Sequence, residues 1–232
     1  MSHKMHSSDL STPQNDAAFV DHQPAPSRLP RGSSSLPKDV VDREQRRRLI
    51  QGIATAVTEK GYAAVTVADV TRIAGVSRAT FYALFKDKED CFVYGLQKLS
   101  DAQMDEVENE YTRQGPKTAV LRAALNAYVQ RINADMHLSH AFIAEAAGAS
   151  PRIRAVHDQA IARFEKGLLN WLASVHKDHP KLAKPSSIRA ALVMSGLKAY
   201  ITSAVRTGQP IGDNQLQEIF EFILASFNLE SI

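Results

Sequence analysis

The sequence predicts an all-α protein of about nine helices, and three observations carry that reading. Apolar residues recur at three- and four-residue spacing from Asp42 onward, and no sustained alternation marks a strand. Helix start signals (Ser, Thr or Asp before a periodic run) and Gly or Gly-Pro stops follow one another along the chain. The composition, 44% apolar and 23% charged over 232 residues, suits a globular protein with a sizeable core.

Residues 1–37 carry Ser, Pro, Gly and His with few large apolar groups. They bury too little to offset the entropy of ordering, so a disordered tail is expected there. Its polar start lacks the apolar run of a secretory signal. Cys91 is the only cysteine, which excludes an internal disulfide and suits a reducing cytoplasm. The most apolar stretch, Ile188 to Val205, is interrupted by Arg189 and Lys198. Those charges are costly in hydrocarbon, so the expectation is a buried helix and no membrane partner.

The first helix carries Leu49, Ile50, Ile53 and Val57 on one stripe and stops at Gly61. Thr66-Val67-Ala68-Asp69 forms a capping box for the second, with Val65 and Val70 at the staple positions. Gly75-Val76 makes a turn, Ser77 caps a third helix, and Asp87 caps a fourth that runs to about Thr112, where Gly115-Pro116 follows. Further helices are expected over about 117–135, 138–147, 152–176, 186–207 and 213–228.

Two short helices joined by a tight glycine turn form a helix-turn-helix pattern. Phe81 and Phe85, at i and i+4, anchor the third helix on the first two. Arg78, Ala79, Tyr82 and Ala83 are left facing outward, with Thr80 at the edge. The alanines permit close approach to base edges, Arg78 can donate twice to a guanine, and Thr80 suits a thymine methyl or a phosphate. The helix starts at Thr66 and Ser77 suit phosphate oxygens. The run Arg43, Arg46, Arg47 and Arg48 suits either phosphate contact or a solvated first helical turn. Residues 38–95 hold ten basic and eight acidic side chains, so charge alone does not announce a nucleic-acid partner.

The stretch from Arg46 to Leu96 resembles the DNA-binding domain of the TetR family of bacterial regulators. The resemblance rests on Gly61-Tyr62, Thr66-Val67-Ala68-Asp69-Val70, Ala74-Gly75-Val76-Ser77, Thr80-Phe81-Tyr82, Phe85 and Lys88-Glu89. Leu84 departs from the family, where His is frequent. The resemblance implies backbone contacts from Thr66, Thr80, Tyr82 and Lys88, and base-facing positions at Arg78, Ala79 and Thr80. With Arg46, Arg47, Arg48 and Ser77 these make the expected DNA-binding set. It further implies a three-helix head over 38–96 and an effector-binding, dimerising body over 97–232. The partners are then operator DNA, a second copy joined through about 186–228, and a small-molecule effector.

The body fits that division. Leu216, Ile219, Phe220, Ile223, Leu224 and Phe227 share a face of the last helix, Phe222 lies on another, and the preceding helix is apolar on more than one face. A four-helix bundle with a second subunit would bury the surplus. Tyr111, Tyr128, Phe142, Glu145, Phe164 and Trp171 are the candidate effector contacts, with His140, His157 and Asn170 as further polar groups. The aromatics serve equally as ordinary core. The balance points to an apolar or aromatic ligand. No Gly-rich phosphate loop, HExxH, cysteine cluster or nucleophile elbow occurs, so no catalytic residue, metal site or cofactor is expected. The competing reading is a helical carrier or enzyme with no DNA role.

Overall fold

A computed structural model describes residues 37–230. The expected disordered tail lies outside the described residues except for Pro37, which precedes the first helix. Ten α-helices and one π-helical turn follow, with no strand among the described residues: α1 (Lys38–Ala64), α2 (Val67–Ala74), α3 (Arg78–Leu84), α4 (Lys88–Tyr111), α5 (Lys117–Ala134), α6 (Met136–Ser139), the π-turn (His140–Ala144), α7 (Ala146–Ala149), α8 (Pro151–Asp178), α9 (Ser187–Thr207) and α10 (Asp213–Phe227).

The boundaries follow from local chemistry. Gly61, at φ 74° and ψ 150°, breaks α1 one turn before its end, a conformation open to a residue without Cβ. Thr66 and Asp69 form the reciprocal capping box of α2. Gly75 takes the left-handed region at φ 64° and turns the chain into Ser77, whose hydroxyl accepts from the Thr80 amide. Asp87, Ser150 and Ser186 cap α4, α8 and α9 in the same way.

One expected element is corrected. The helix anticipated over about 138–147 is three pieces, α6, the π-turn and α7. Asp135 caps α6, and the Glu145 amide donates to His140 O at 3.2 Å, a five-residue spacing. The extra residue rotates the following turn, so that Leu138, Ala141, Phe142, Ala144 and Ala146 are all buried. A 3.6-residue period cannot anticipate such an insertion.

The described residues form two cores. The first joins α1–α3 and the first half of α4, and continues into Leu138, Ala141, Phe142, Ala146 and Ile153. The second joins α5, α8, α9 and α10. The expected burial of α9 is also corrected. Ala190, Val193, Ile201 and Val205 face inward, while Ile188 is 72% and Leu192 67% exposed and Tyr200 is exposed beside them. By length and composition alone α9 could cross a membrane. The difference arises because its apolar residues occupy two faces and the chain covers one.

α1 and α2 touch backbone to backbone at Gly52, where a Cβ would lie 2.8 Å from Val70 O. Gly52→Ala is therefore expected to push the two helices apart and lower stability by about 1–3 kcal/mol. Chemical denaturation with an unchanged slope checks it, and a stability equal to wild type would refute the close approach.

Candidate nucleic-acid interface and internal cavity

α3 is short, anchored on one side and open on the other. Phe81 and Phe85 are 0% and 3% exposed, and their rings lie 5.9 Å apart. Arg78, Ala79, Tyr82 and Ala83 are exposed and Thr80 is half-buried. Arg78 has no ion pair or hydrogen bond among the described residues, so its guanidinium can reach a partner without first breaking a bond. Ser77 Oγ lies 2.9 Å from Thr80 Oγ1.

The other candidate contacts are more engaged. Thr66 Oγ1 donates to Asp69 at 2.6 Å, and Lys60 Nζ lies 2.7 Å from the same carboxylate. Lys60, then Thr66, hold Asp69 well below the usual carboxylate range. Arg46 donates to Leu84 O at 3.1 Å, with its guanidinium over the rings of Phe85 and Tyr94. Arg47 makes two 2.8 Å bonds to Glu44, and Arg48 a third at 2.9 Å. Lys88 Nζ donates to Tyr62, Ala63 and Val65 carbonyls at 3.0, 3.2 and 2.8 Å and sits over the Tyr62 ring. All three of its N–H groups thus tie the end of α1 to the start of α4. Arg72 and Lys86, both exposed, were not singled out from the sequence. Their availability follows from which acids claim the other cations, and one-dimensional spacing does not show that.

Two internal cavities of about 50 Å³ each lie in the body. The first is lined by α4, α5, the π-turn, α8 and α9 and includes Gln103, Tyr128, Phe142, His157 and Phe164. The second includes Tyr111, Leu125, Leu168 and Ile223. Tyr128, Phe164, Met194 and Leu197 line both and form the wall between them. Tyr111, Tyr128, Phe142 and Phe164 are thus gathered at the cavities. Trp171 lies behind them, stacked on Tyr111 at 5.4 Å. Glu145 lines neither cavity, because the π-turn carries it past the lining, and Asn170 faces solvent. Burial pushes the Tyr128 phenol up to about 12. Burial, then the nearby Lys198 charge, lowers His157, which keeps its imidazole neutral near pH 7. Cys91 is fully buried and its thiol is pushed up by burial, the opposite of what redox sensing needs.

Residues 49–94 match the sequence model described as bacterial regulatory proteins, tetR family. The chain has the fold of solved TetR-family transcriptional regulators, and its head matches the family's DNA-binding domain model. The fatty acid degradation regulator FadR of Bacillus halodurans superimposes with a TM-score of 0.70 at 16% identity, over 80% of this chain and 96% of that one. A putative TetR-family regulator from Syntrophomonas wolfei gives 0.63 at 19% identity, over 80% and 96%. FadR of Bacillus subtilis, in complex with stearoyl-CoA, gives 0.59 at 16% identity, over 78% and 95%. No curated protein matches the chain in sequence.

Within the matched head, Arg78 and Lys88 are expected to behave differently. Arg78→Ala should leave stability unchanged and lower discrimination between operator and random DNA by about 1–3 kcal/mol. Equal weakening on both DNAs would reduce Arg78 to a phosphate contact. Lys88→Met should instead lower folding stability by about 1–3 kcal/mol, because three carbonyls lose a charged donor. Wild-type stability in that variant would return Lys88 to the list of free phosphate ligands.

Proposed function

We propose that this chain is a homodimeric repressor released from a palindromic operator by a small-molecule effector. The supporting observation is α4, which belongs to the head's core and lines both cavities of the body. Its start, with Cys91, Phe92 and Leu96, belongs to the head, and its later turns, with Gln103 and Val107, wall the cavities. The reading assigns 38–96 to the head, 97–232 to the body, and the cytoplasm as the working compartment.

Arg78, Ala79 and Thr80 read bases in this reading, with Tyr82, Ser77 and Thr66 at the backbone and Arg46, Arg47 and Arg48 nearby. Lys88 adds a phosphate contact if it releases one carbonyl. One recognition helix spans few base pairs, so two must enter successive major grooves roughly 34 Å apart. The exposed Ile188, Leu192 and Tyr200 of α9 and Phe222 of α10 supply the surface for a second copy. Between these helices runs a groove of about 320 Å³ that includes Gly196, Tyr200 and Phe222, wide enough for a partner side chain. Arg189 and Lys198 on α9, and the two-helix form of the face, favour a second copy over lipid. Effector entry between α4, α8 and α9 would tilt α4, to which α8 is tied by Arg163 on Asp101 at 2.5 Å and Arg152 on Asp90 at 3.3 Å. The stearoyl-CoA held by the Bacillus subtilis neighbour supports an elongated ligand.

A gel shift on the DNA flanking the chain's own gene tests the core of this reading. Sharp retardation of one palindromic site is expected, and binding indifferent to sequence would overturn it in favour of a carrier role. Leu192→Glu combined with Phe222→Glu should give a monomer in analytical ultracentrifugation and weaken palindrome binding by roughly 100-fold. A dimer that survives both substitutions would place the interface elsewhere.

A further inference from the structure

The cavity wall carries two polar side chains that the fold leaves without partners. Gln103 on α4 is 4% exposed and His157 on α8 is 5% exposed. Gln103 Nε2 and His157 Nδ1 are both buried with no hydrogen-bond partner, and both residues line the first cavity. The Asp158 carboxylate lies 3.8 Å from His157 Nδ1, too far for a hydrogen bond. Buried polar nitrogens are seldom left unpaired, and two on facing helices around one cavity call for a ligand. An apolar core would hold Leu at both positions.

The chemistry of the missing partner follows from the donors. A Gln amide nitrogen only donates, and His157 donates from Nδ1 in the tautomer that carries its proton there. Lys198 lines the same cavity but pairs with Asp158 at 3.8 Å, so its charge is largely answered. With the imidazole proton on Nδ1, the two unpartnered donors select an acceptor oxygen. The rest of the lining is Ser100, whose hydroxyl donates to Leu96 O at 2.8 Å, with Ala160 and Leu, Ile, Met and aromatic side chains, and the second cavity is apolar in the same way. From Gln103 to Tyr111 is eight residues of α4, about 12 Å of apolar wall. Met194, flexible and polarisable, belongs to the partition and is the side chain best able to swing aside and join the two spaces.

We propose that the effector is an amphiphile whose carbonyl or carboxylate oxygen is held by Gln103 and His157 and whose apolar portion runs through both cavities towards Tyr111. This rests on the regulatory reading above and names the ligand class for its site. An unpartnered polar pair destabilises the empty protein, so occupancy changes a strained wall into a satisfied one.

The test uses the full chain and four probes with the same medium-length tail: decanoate, methyl decanoate, decanoyl thioester and decylammonium. Trp171 is the only tryptophan and stacks on Tyr111 at the far end of the cavities, so its fluorescence reports filling. Saturable binding of at least one oxygen-bearing probe is expected, and decylammonium should bind at least tenfold more weakly. Preference among the three oxygen probes assigns the source as free acid, ester or thioester. Gln103→Leu and His157→Leu should each weaken the preferred probe about tenfold, while His157→Gln keeps a donor and most of the affinity. Gln103→Leu should also raise the melting temperature of the empty protein, which a merely structural glutamine would not do. Decylammonium binding as tightly as the others, or leucine variants with unchanged affinity, would overturn the proposal. A gel shift on each variant separates the two readings: intact operator binding with no oxygen-selective ligand sinks this one alone, and loss of operator specificity in wild type sinks the regulatory reading alone.

Discussion

The Phe142 ring lies so close to α4 that a Cβ at Gly95 would sit 2.6 Å from its Cζ. The same ring packs on Phe92 at 4.8 Å and faces the first cavity. One side chain thus belongs to the core that holds the helix-turn-helix and to the wall of the space that would hold a ligand. The π-turn makes this possible by feeding an extra residue into the chain at the point where it crosses α4. Close-packed interiors transmit displacement because their atoms have nowhere else to go. A shift of Phe142 must therefore be answered by α4 or by the head, and α4 is held to the end of α1 by the three Lys88 bonds.

Charge in the head is spent mainly on architecture. Arg46 closes the end of α3, Arg47 and Arg48 neutralise Glu44, and Lys60 and Asp69 lock the start of α2. This explains how a region with ten basic and eight acidic residues can serve DNA without a conspicuous basic patch. Arg72, Arg78 and Lys86 are exposed with no ion pair among the described residues. With few free cations, a head of this kind would bind random DNA weakly. Its discrimination then leans on geometry and on the duplication of the head.

Much of the head was legible in the sequence because its signals are local. The Thr66–Asp69 box, the Gly75 turn, the Ser77 cap and the Phe81–Phe85 pair each involve residues within four positions of one another, and each appears in the structure as read. The all-α class followed from the same periodicity. What was not legible depends on contacts distant in sequence. Lys88 reaches carbonyls more than twenty residues away, and nothing near it announces that. Gln103 sits in an amphipathic helix where a single polar residue looks like a solvated face, and only the packing of α8 and α9 over it shows that it is buried. The surplus apolar face of the last two helices was visible as pattern, but the degree to which α9 lies open was not. Glu145 and Trp171 were candidates because their helices were expected to enclose a pocket; Glu145 follows the π-turn and Trp171 stacks behind Tyr111, so neither lines a cavity.

The size of the cavities constrains how any effector could act. Ligand pockets usually span several hundred Å³, and each space here is about 50 Å³. A ligand therefore cannot enter this conformation and leave it unchanged. It must separate α8 and α9 from α4 or displace Met194 and Phe164, and either movement acts on helices that also border the head or the α9–α10 face. This gives the differential affinity that regulation requires, since a ligand shifts an equilibrium only by how much better it binds one conformation than the other. Opening the wall costs packing contacts, and satisfying Gln103 and His157 returns part of that cost only when the correct oxygen is present. An apolar molecule of equal bulk would open the wall without that return. The polar pair then sets which molecules can hold the protein in the open shape, and by linkage whatever DNA favours the closed shape must weaken ligand binding by the same factor.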